Sequence, residues 1–305
     1  PQFVDVTGDG INDIISGCYV ADEERKKGIA YQHVIAGKAD GSFEKATPIK
    51  AADGKPLILP GINGDDRYDR SRICTHPFAC DWDGDGDLDL LVGNFQGTFY
   101  LAENIGSATS PSWKSQGEWI KGGDGKLLGR GQKKISKSAP FVIDWDGDGD
   151  LDILTGSGGG GAQWAENSGT RKQPSFNSFQ QLIEKPKPVR RRFFESEEEI
   201  LPSNRTHLWV ADINGDGVHD LLLGDSVSYW RKKEGLSKEK FNQFITYWNA
   251  EHAEITKAWR ELGPKPDKKS ENYNQVSERS NKLHRKNMEH VTIESTGFVW
   301  LYLGQ

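Results

Sequence analysis

Four nine-residue segments of the chain carry oxygen-bearing side chains at the same four places. They span residues 5–13, 81–89, 144–152 and 212–220, and we call them loops 1 to 4. Positions 1, 3, 5 and 9 of each loop hold Asp, Asn or Thr, Gly occupies positions 4 and 6, and a short apolar run follows. Because Ca²⁺ binds about six to eight oxygen atoms in proteins, the pattern indicates four calcium-binding loops.

The predicted calcium ligands are the side chains at positions 1, 3, 5 and 9, together with the main-chain carbonyl at position 7. They are Asp5, Thr7, Asp9, Ile11 and Asp13 in loop 1, Asp81, Asp83, Asp85, Asp87 and Asp89 in loop 2, Asp144, Asp146, Asp148, Asp150 and Asp152 in loop 3, and Asp212, Asn214, Asp216, Val218 and Asp220 in loop 4. Glycine at positions 4 and 6 allows the positive φ angles of a tight loop. Because Thr7 stands where the other loops have Asp or Asn, we expect loop 1 to be the weakest site.

An Asp-Gly turn and an EF-hand share features with these loops. A single segment is explained as well by an Asp-Gly turn, but four copies with matched spacing favour a cation, because the packed carboxylates repel one another without one. An EF-hand requires a bidentate Glu at position 12 and a helix on each side. Position 12 of the four loops is Ser16, Val92, Thr155 and Leu223. The EF-hand is therefore rejected, and Mg²⁺ is disfavoured because it keeps several of its waters.

The loops belong to a longer repeat that must hold them in place. An offset of 63 residues carries Asp81 to Asp144 and Glu103-Asn104 to Glu166-Asn167. Each unit reads as apolar strand, acidic loop, apolar strand, glycine, aromatic strand, Asn-x-Gly turn and short closing strand. Four short strands at a period of about 40–70 residues are typical of a β-propeller blade.

Loops 2 and 3, with the strands that follow them, resemble the FG-GAP/VCBS repeat family, which includes the calcium-binding blades of integrin α subunits. The resemblance covers most of the chain outside residues 235–292 and is to the bacterial secreted type. It implies an all-β propeller with its calcium sites between the first and second strands of each blade. We therefore expect one β-propeller domain over 1–305, with four-stranded antiparallel blades at about 1–70, 71–137, 138–205 and 206–305.

Residues 235–292 interrupt the β pattern and predict a helical hairpin inserted in the last blade. Apolar side chains from Phe241 to Leu262 follow helical spacing, Ser237 is a candidate N-cap, and Gly263-Pro264 is a stop signal. A second helix is expected from about Lys269 to His290. Its inward side chains are predicted to be Tyr273, Val276, Leu283 and Met288. The hairpin either packs on the propeller or docks a partner, and the third strand of the last blade resumes at Gly297.

Composition narrows the class of partner. The net charge is −6, and the four loops alone contain 16 Asp, so the rest of the chain is net basic. The densest basic run, at 185–192, is interrupted by Pro and followed by Glu-rich sequence, so we expect a solvated loop and no nucleic acid. No apolar run is long enough to cross a membrane. The absence of an initiator Met favours a processed, secreted chain.

No catalytic constellation stands out in the sequence. The seven His form no H-E-x-x-H pattern, and no G-x-S-x-G motif is present. We therefore expect a non-enzymatic calcium-binding module for adhesion, assembly, or binding of a protein or glycan. Open calcium loops favour an extracellular or periplasmic location, because calcium outside cells fills even weak sites. The alternative is a propeller-fold enzyme, a lyase or hydrolase, acting on polysaccharide at the axial face.

Overall fold

The computed structural model describes residues 1–20, 29–62, 69–130, 135–185, 192–193, 202–263 and 266–304. Most of the basic run at 185–192 lies outside the described residues. The strands in chain order are β1 (Gln2–Val4), β2 (Asp13–Gly17), β3 (Gln32–Ile35), β4 (Thr47–Pro48), β5 (His76–Cys80), β6 (Asp89–Gly93), β7 (Phe99–Ala102), β8 (Glu118–Trp119), β9 (Ala139–Ile143), β10 (Asp152–Gly156), β11 (Ala162–Ala165), β12 (Gln180–Ile183), β13 (Arg192–Phe193), β14 (Asn204–Ala211), β15 (Asp220–Lys232), β16 (Val291–Thr296) and β17 (Val299–Tyr302). Helices α1 (Lys238–Glu261) and α2 (Glu271–His290) lie between β15 and β16.

Three antiparallel four-stranded sheets follow one another along the chain. They are β1–β4, β5–β8 and β9–β12, and the spatial order of the strands is the order along the chain in each. Strand β14 pairs antiparallel with β15, and β15 with β17, which repeats the first three strands of the pattern. The prediction of blade-like antiparallel sheets is confirmed, whereas a closed propeller ring stays a prediction.

The fourth sheet departs from the expected four-stranded antiparallel blade. Strand β15 is long enough to pair also with β16 and, in parallel, with β13. Among the described residues, no fourth strand pairs with the outer edge of β17. The expected return of the β pattern after the helices is correct, because β17 begins at Val299.

The four acidic loops join the first and second strands of their sheets. The second strands β6 and β10 are buried at every position, because they lie in the middle of their sheets with neighbouring sheets packed against them. One apolar core contains Leu91 of the second sheet, Leu154 of the third and Leu223 of the fourth. Continuous burial explains why the apolar runs after loops 2 and 3 do not alternate with polar residues.

A glycine that ends the second strand lies against the main chain of the next sheet. A Cβ atom on Gly17 would lie 1.9 Å from the carbonyl oxygen of Thr75, which precedes β5. The equivalent pairs are Gly93 with Ser138 at 2.3 Å and Gly156 with Thr206 at 1.9 Å. Glycine is therefore required here by close packing between sheets, in addition to its role as a strand breaker.

The chain divides into two compact units. The first comprises 1–187, 200–226 and 297–305 and contains all four acidic loops. The second comprises 188–199 and 227–296 and contains both helices. None of the described helices is sufficiently long and apolar to cross a membrane.

The helical hairpin of the second unit confirms most of the prediction for 235–292. Ser237 Oγ accepts a hydrogen bond from the Lys240 N–H, as expected for the N-cap of α1. The inward face of α2 was predicted incorrectly at Met288, which is 50% exposed, whereas Asn287 is buried. Asn287 follows Leu283 by four residues and therefore lies on the same helix face, while Met288 is turned about 100° away.

Candidate metal centres

The carboxylate at position 1 organises each acidic loop. In loop 3, Asp144 Oδ1 accepts the Gly147 N–H at 2.8 Å, and Asp144 Oδ2 accepts the Gly149 N–H at 3.1 Å. The same pair of bonds is made by Asp5 in loop 1 and by Asp212 in loop 4. The two glycines have φ of +81° and +95° in loop 3, a region that L side chains rarely adopt.

The aspartate at position 9 is buried and connects its loop to the third strand of the sheet by hydrogen bonds. We call this contact the clip. In loop 2, Asp89 Oδ2 accepts the Trp82 N–H at 3.1 Å, and Asp89 Oδ1 accepts the Asn104 N–H at 2.7 Å. The equivalent Oδ1 bonds join Asp13 to Gly37, Asp152 to Asn167 and Asp220 to Gly304. The donor is always two residues beyond the third strand, even where both helices intervene in the fourth sheet.

This structural role of position 9 was not anticipated from the sequence, which identified the residue only as a calcium ligand. Local spacing cannot show it, because the donor lies 84 residues away in the fourth sheet. A carboxylate has about four lone-pair sites, so a clip that accepts two N–H bonds can still bind a cation.

The structure brings together the first three predicted side-chain ligands of loops 2 and 3. Oxygen atoms of Asp81, Asp83 and Asp85 lie within 4.8 Å of one another, as do those of Asp144, Asp146 and Asp148. We call these groups trio 2 and trio 3. Oxygens bound to one Ca²⁺ at about 2.3–2.6 Å can be separated by up to about 5 Å. No other trio of His, Cys, Asp or Glu meets this spacing among the described residues.

Loops 1 and 4 have fewer carboxylates at the predicted ligand positions. In loop 1, Thr7 Oγ1 is inaccessible and has no hydrogen-bond partner. In loop 4, Asn214 Nδ2 donates to Asp216 Oδ2 at 2.8 Å, and Asn214 Oδ1 accepts the Asp216 N–H at 2.9 Å. Hydrogen bonding from the Gly304 N–H, opposed by partial desolvation, lowers the pKa of Asp220. Loop 4 is thus the loop whose ligand side chains are best satisfied by the protein itself.

Carboxylates of loops 2 and 3 carry unfavourable charge when no cation is bound. Burial, followed by the neighbouring aspartates, raises the pKa of Asp150 to about 6. Burial also raises the pKa of Asp89 to about 6, although two backbone N–H donors act in the opposite direction. Asp87 Oδ1 and Asp150 Oδ1 are inaccessible and lack a hydrogen-bond partner. Crowded carboxylates and orphaned oxygens fit the chemistry of a divalent cation bound by oxygen.

Loop 2 differs from loop 3 through one residue of the third sheet. Arg171, in the turn after β11, donates from Nη2 to the Asp81 carbonyl oxygen at 2.5 Å and lies 3.3 Å from Asp81 Oδ2. In loop 3, a Cβ on Gly147 would meet no atom within 4 Å, whereas one on Gly84 would meet Arg171 Nε at 3.2 Å. Trio 2 therefore has a basic neighbour in Arg171.

The tryptophans at position 2 of loops 2 and 3 pack against the following sheet. Trp82 is buried, with its ring centroid 5.9 Å from that of Phe176. Trp145 stacks on His219 of loop 4 at 6.2 Å. Both side chains help hold a loop on the next sheet and are not cation ligands.

The first strands of all four sheets converge on a cavity of about 310 Å³. Its lining includes Gln2, Cys74, His76, Phe141 and His207. Cys74 Sγ lies 3.7 Å from His76 Nε2, but burial raises the pKa of Cys74 and lowers that of His76 to about 3. The pair is therefore a neutral thiol and a neutral imidazole, which is unfavourable for a thiolate nucleophile.

Comparison with known proteins identifies the region that contains trios 2 and 3. Residues 81–155 match the family model of the FG-GAP-like repeat. No curated protein and no solved structure is significantly similar to the chain. The matched segment runs from the first residue of loop 2 through the first strand of the next sheet and almost to the end of β10. The prediction of FG-GAP/VCBS-type repeats is thus confirmed, and the chain carries an FG-GAP-like repeat.

Proposed function

We propose that this protein is a calcium-stabilised, non-enzymatic binding module with a β-propeller fold. The observation that carries the proposal is the convergence of three carboxylates in both trios, within the segment that matches an FG-GAP-like repeat. Each of loops 1 to 4 holds one Ca²⁺, and loops 2 and 3 are the sites with the highest charge. The bacterial secreted type and an extracellular or periplasmic location belong to the same proposal.

The proposed role of calcium is to hold the first three strands of a sheet together. The cation offsets the repulsion within each trio at the junction of the first and second strands. The clip at position 9 connects the same loop to the end of the third strand through a main-chain N–H. Calcium binding therefore orders a loop that is already connected to three strands, and the free energy of binding stabilises the folded state.

The proposed binding role rests on the FG-GAP-like repeat and on the surface of the helical hairpin. The partner is a protein or a glycan, and residues 235–292 are the proposed docking element. Their exposed face includes Tyr247, with the Lys286 ammonium 3.8 Å from its ring centroid, and Met288. A protein with residues 238–290 replaced by a short Gly-Ser linker should keep calcium binding and lose partner binding.

Calcium binding is tested by thermal unfolding of metal-free protein titrated with Ca²⁺. We expect Tm to rise by several degrees at millimolar calcium and to return on addition of EDTA, because binding to the native state alone stabilises it. The double variant D83N/D146N should lose most of this rise. A Tm that is unaffected by calcium would contradict the structural role of the cation.

The cavity at the first strands supports a second candidate function, an enzyme acting on polysaccharide. A glycan unit bound there would contact Gln2, His76 and His207. Turnover of a glycan panel that is abolished in H76A and retained in D83N/D146N would favour this alternative. No turnover on the panel would favour the binding module.

A further inference from the structure

We propose that Arg171 is an internal competitor of calcium at loop 2, which lowers the affinity of that loop for calcium. The inference rests on the proposed calcium binding of trios 2 and 3. Loops 2 and 3 read DWDGDGDLD in both cases, so their side-chain ligands are identical. Any difference between their affinities must therefore arise from their surroundings.

Arg171 replaces one hydrogen bond of the loop itself. In loops 1, 3 and 4, the second oxygen of the position-1 aspartate accepts the N–H of the glycine at position 6. In loop 2 that oxygen, Asp81 Oδ2, faces the Arg171 guanidinium at 3.3 Å. The guanidinium thus occupies one side of a carboxylate that the trio would present to Ca²⁺.

The position of Arg171 follows from the architecture of the repeat. Its equivalent at an offset of 63 residues is Ala108, in the turn after β7. The Ala108 carbonyl oxygen lies 2.2 Å from the Cβ position of Gly8 in loop 1. The turn after the third strand of one sheet therefore reaches the acidic loop of the preceding sheet in both cases. Of these two turns, the one at loop 2 presents a cation.

Arg171 is held in a way that permits release. Its side chain is 38% exposed, so solvent is directly accessible to it. Its Nε is inaccessible and has no hydrogen-bond partner. The contact with Asp81 therefore leaves one N–H donor of the guanidinium without an acceptor. Because a Ca²⁺ ion at trio 2 and the guanidinium repel each other, calcium binding displaces the side chain toward solvent.

The consequence is a weaker calcium site at loop 2. Arg171 raises the calcium concentration at which loop 2 fills by about tenfold, as expected for a like charge a few Å from the cation and partly screened by water. Arg171, together with the ligand set, then determines the calcium concentration to which loop 2 responds.

The experiment measures Ca²⁺ binding by calorimetry in four proteins, each with loop 3 inactivated by D146N/D148N so that loop 2 dominates. The proteins carry Arg171, R171A, R171K or K172A. Lys172 is the matched control, because it is an exposed cation in the same turn and its removal changes the net charge equally. We expect R171A to bind calcium about tenfold more tightly, and K172A and R171K to change the affinity less than threefold.

A second measurement distinguishes loss of the contact from loss of folding. In the metal-free protein, R171A should lower Tm slightly because Asp81 loses its partner, whereas the rise in Tm caused by calcium should increase. Equal affinities of R171A and the Arg171 protein, with calcium bound in both, would overturn the inference and leave the proposed function intact. No calcium binding in any protein, including the one with both loops intact, would overturn both.

Discussion

Loops 2 and 3 have the same nine residues and different surroundings. In loop 3, Asp144 accepts both glycine N–H groups, and a Cβ on Gly147 would meet open space. In loop 2, one oxygen of Asp81 faces Arg171 from the third sheet. A ligand pattern determines which atoms are available to a cation, while the next sheet determines how much positive charge is already present.

The two loops share the clip at position 9, and this gives the largest expected effect. D89A or D152A should each destabilise the metal-free protein by about 3 kcal/mol, because two buried N–H groups lose their acceptors. Urea unfolding in EDTA measures the change. D89N and D152N are controls that retain one acceptor oxygen, and about half the loss is expected. Unequal losses for D89A and D152A would show that the clips do not act alike.

Proton competition should affect both loops. The pKa of Asp89 in loop 2 and of Asp150 in loop 3 is raised to about 6. A carboxyl with a raised pKa favours the fold when protonated, so its contribution to the stability of metal-free protein falls as pH rises from about 4 to about 6. Calcium favours the ionised form of both carboxyls, because Asp89 is a predicted ligand and the Asp150 carboxylate lies close to the cation site, so the affinity of each loop should fall severalfold between pH 7.5 and pH 5.

Calorimetry in two buffers of different ionisation enthalpy at pH 6 counts the protons that calcium releases. We expect each loop to release a fraction of a proton when it binds calcium. D83N/D85N inactivates loop 2 and reports on loop 3, and D146N/D148N inactivates loop 3 and reports on loop 2. Affinities that do not change down to pH 5 would place both carboxyl pKa values near their usual range.

The smallest effect concerns charge in the absence of calcium. D146N should raise the Tm of metal-free protein by about 1–2 °C, because it removes one of the repelling carboxylates of trio 3. D83N should raise it less, since Arg171 already offsets part of the repulsion at trio 2. Scanning calorimetry in EDTA compares the two variants. When D83N is added to R171A, the rise in Tm relative to R171A alone should be as large as the rise caused by D146N. A greater effect of D83N would contradict the comparison.

Several parts of the molecule could be predicted because their cause is local. The acidic loops, the buried strands after them and the start of α1 at Ser237 all follow from residues within about ten positions of one another. Helix α2 was predicted with one wrong inward residue, Met288. Met288 lies outside the buried face of α2, whereas Asn287 lies on that face and is buried.

Other features depend on residues that are distant along the chain. Arg171 reaches Asp81 across 90 residues, and the Asp220 clip reaches Gly304 across 84. Gly156 must lack a side chain because the Thr206 carbonyl passes at 1.9 Å from its Cβ position. These contacts cannot be predicted from residue spacing or composition, because they form only when distant parts of the chain come together in the folded protein.

The amino-acid sequence by itself determined that four loops present oxygen ligands, that apolar strands follow them, and that a helical hairpin separates β15 from β17. These features depend on side-chain type and period, which act over a few residues. Only the tertiary structure decided that position 9 connects each loop to a third strand and that Arg171 of the third sheet lies beside loop 2. Hydrogen bonds and charges act through space, and the packing of successive sheets sets which groups meet.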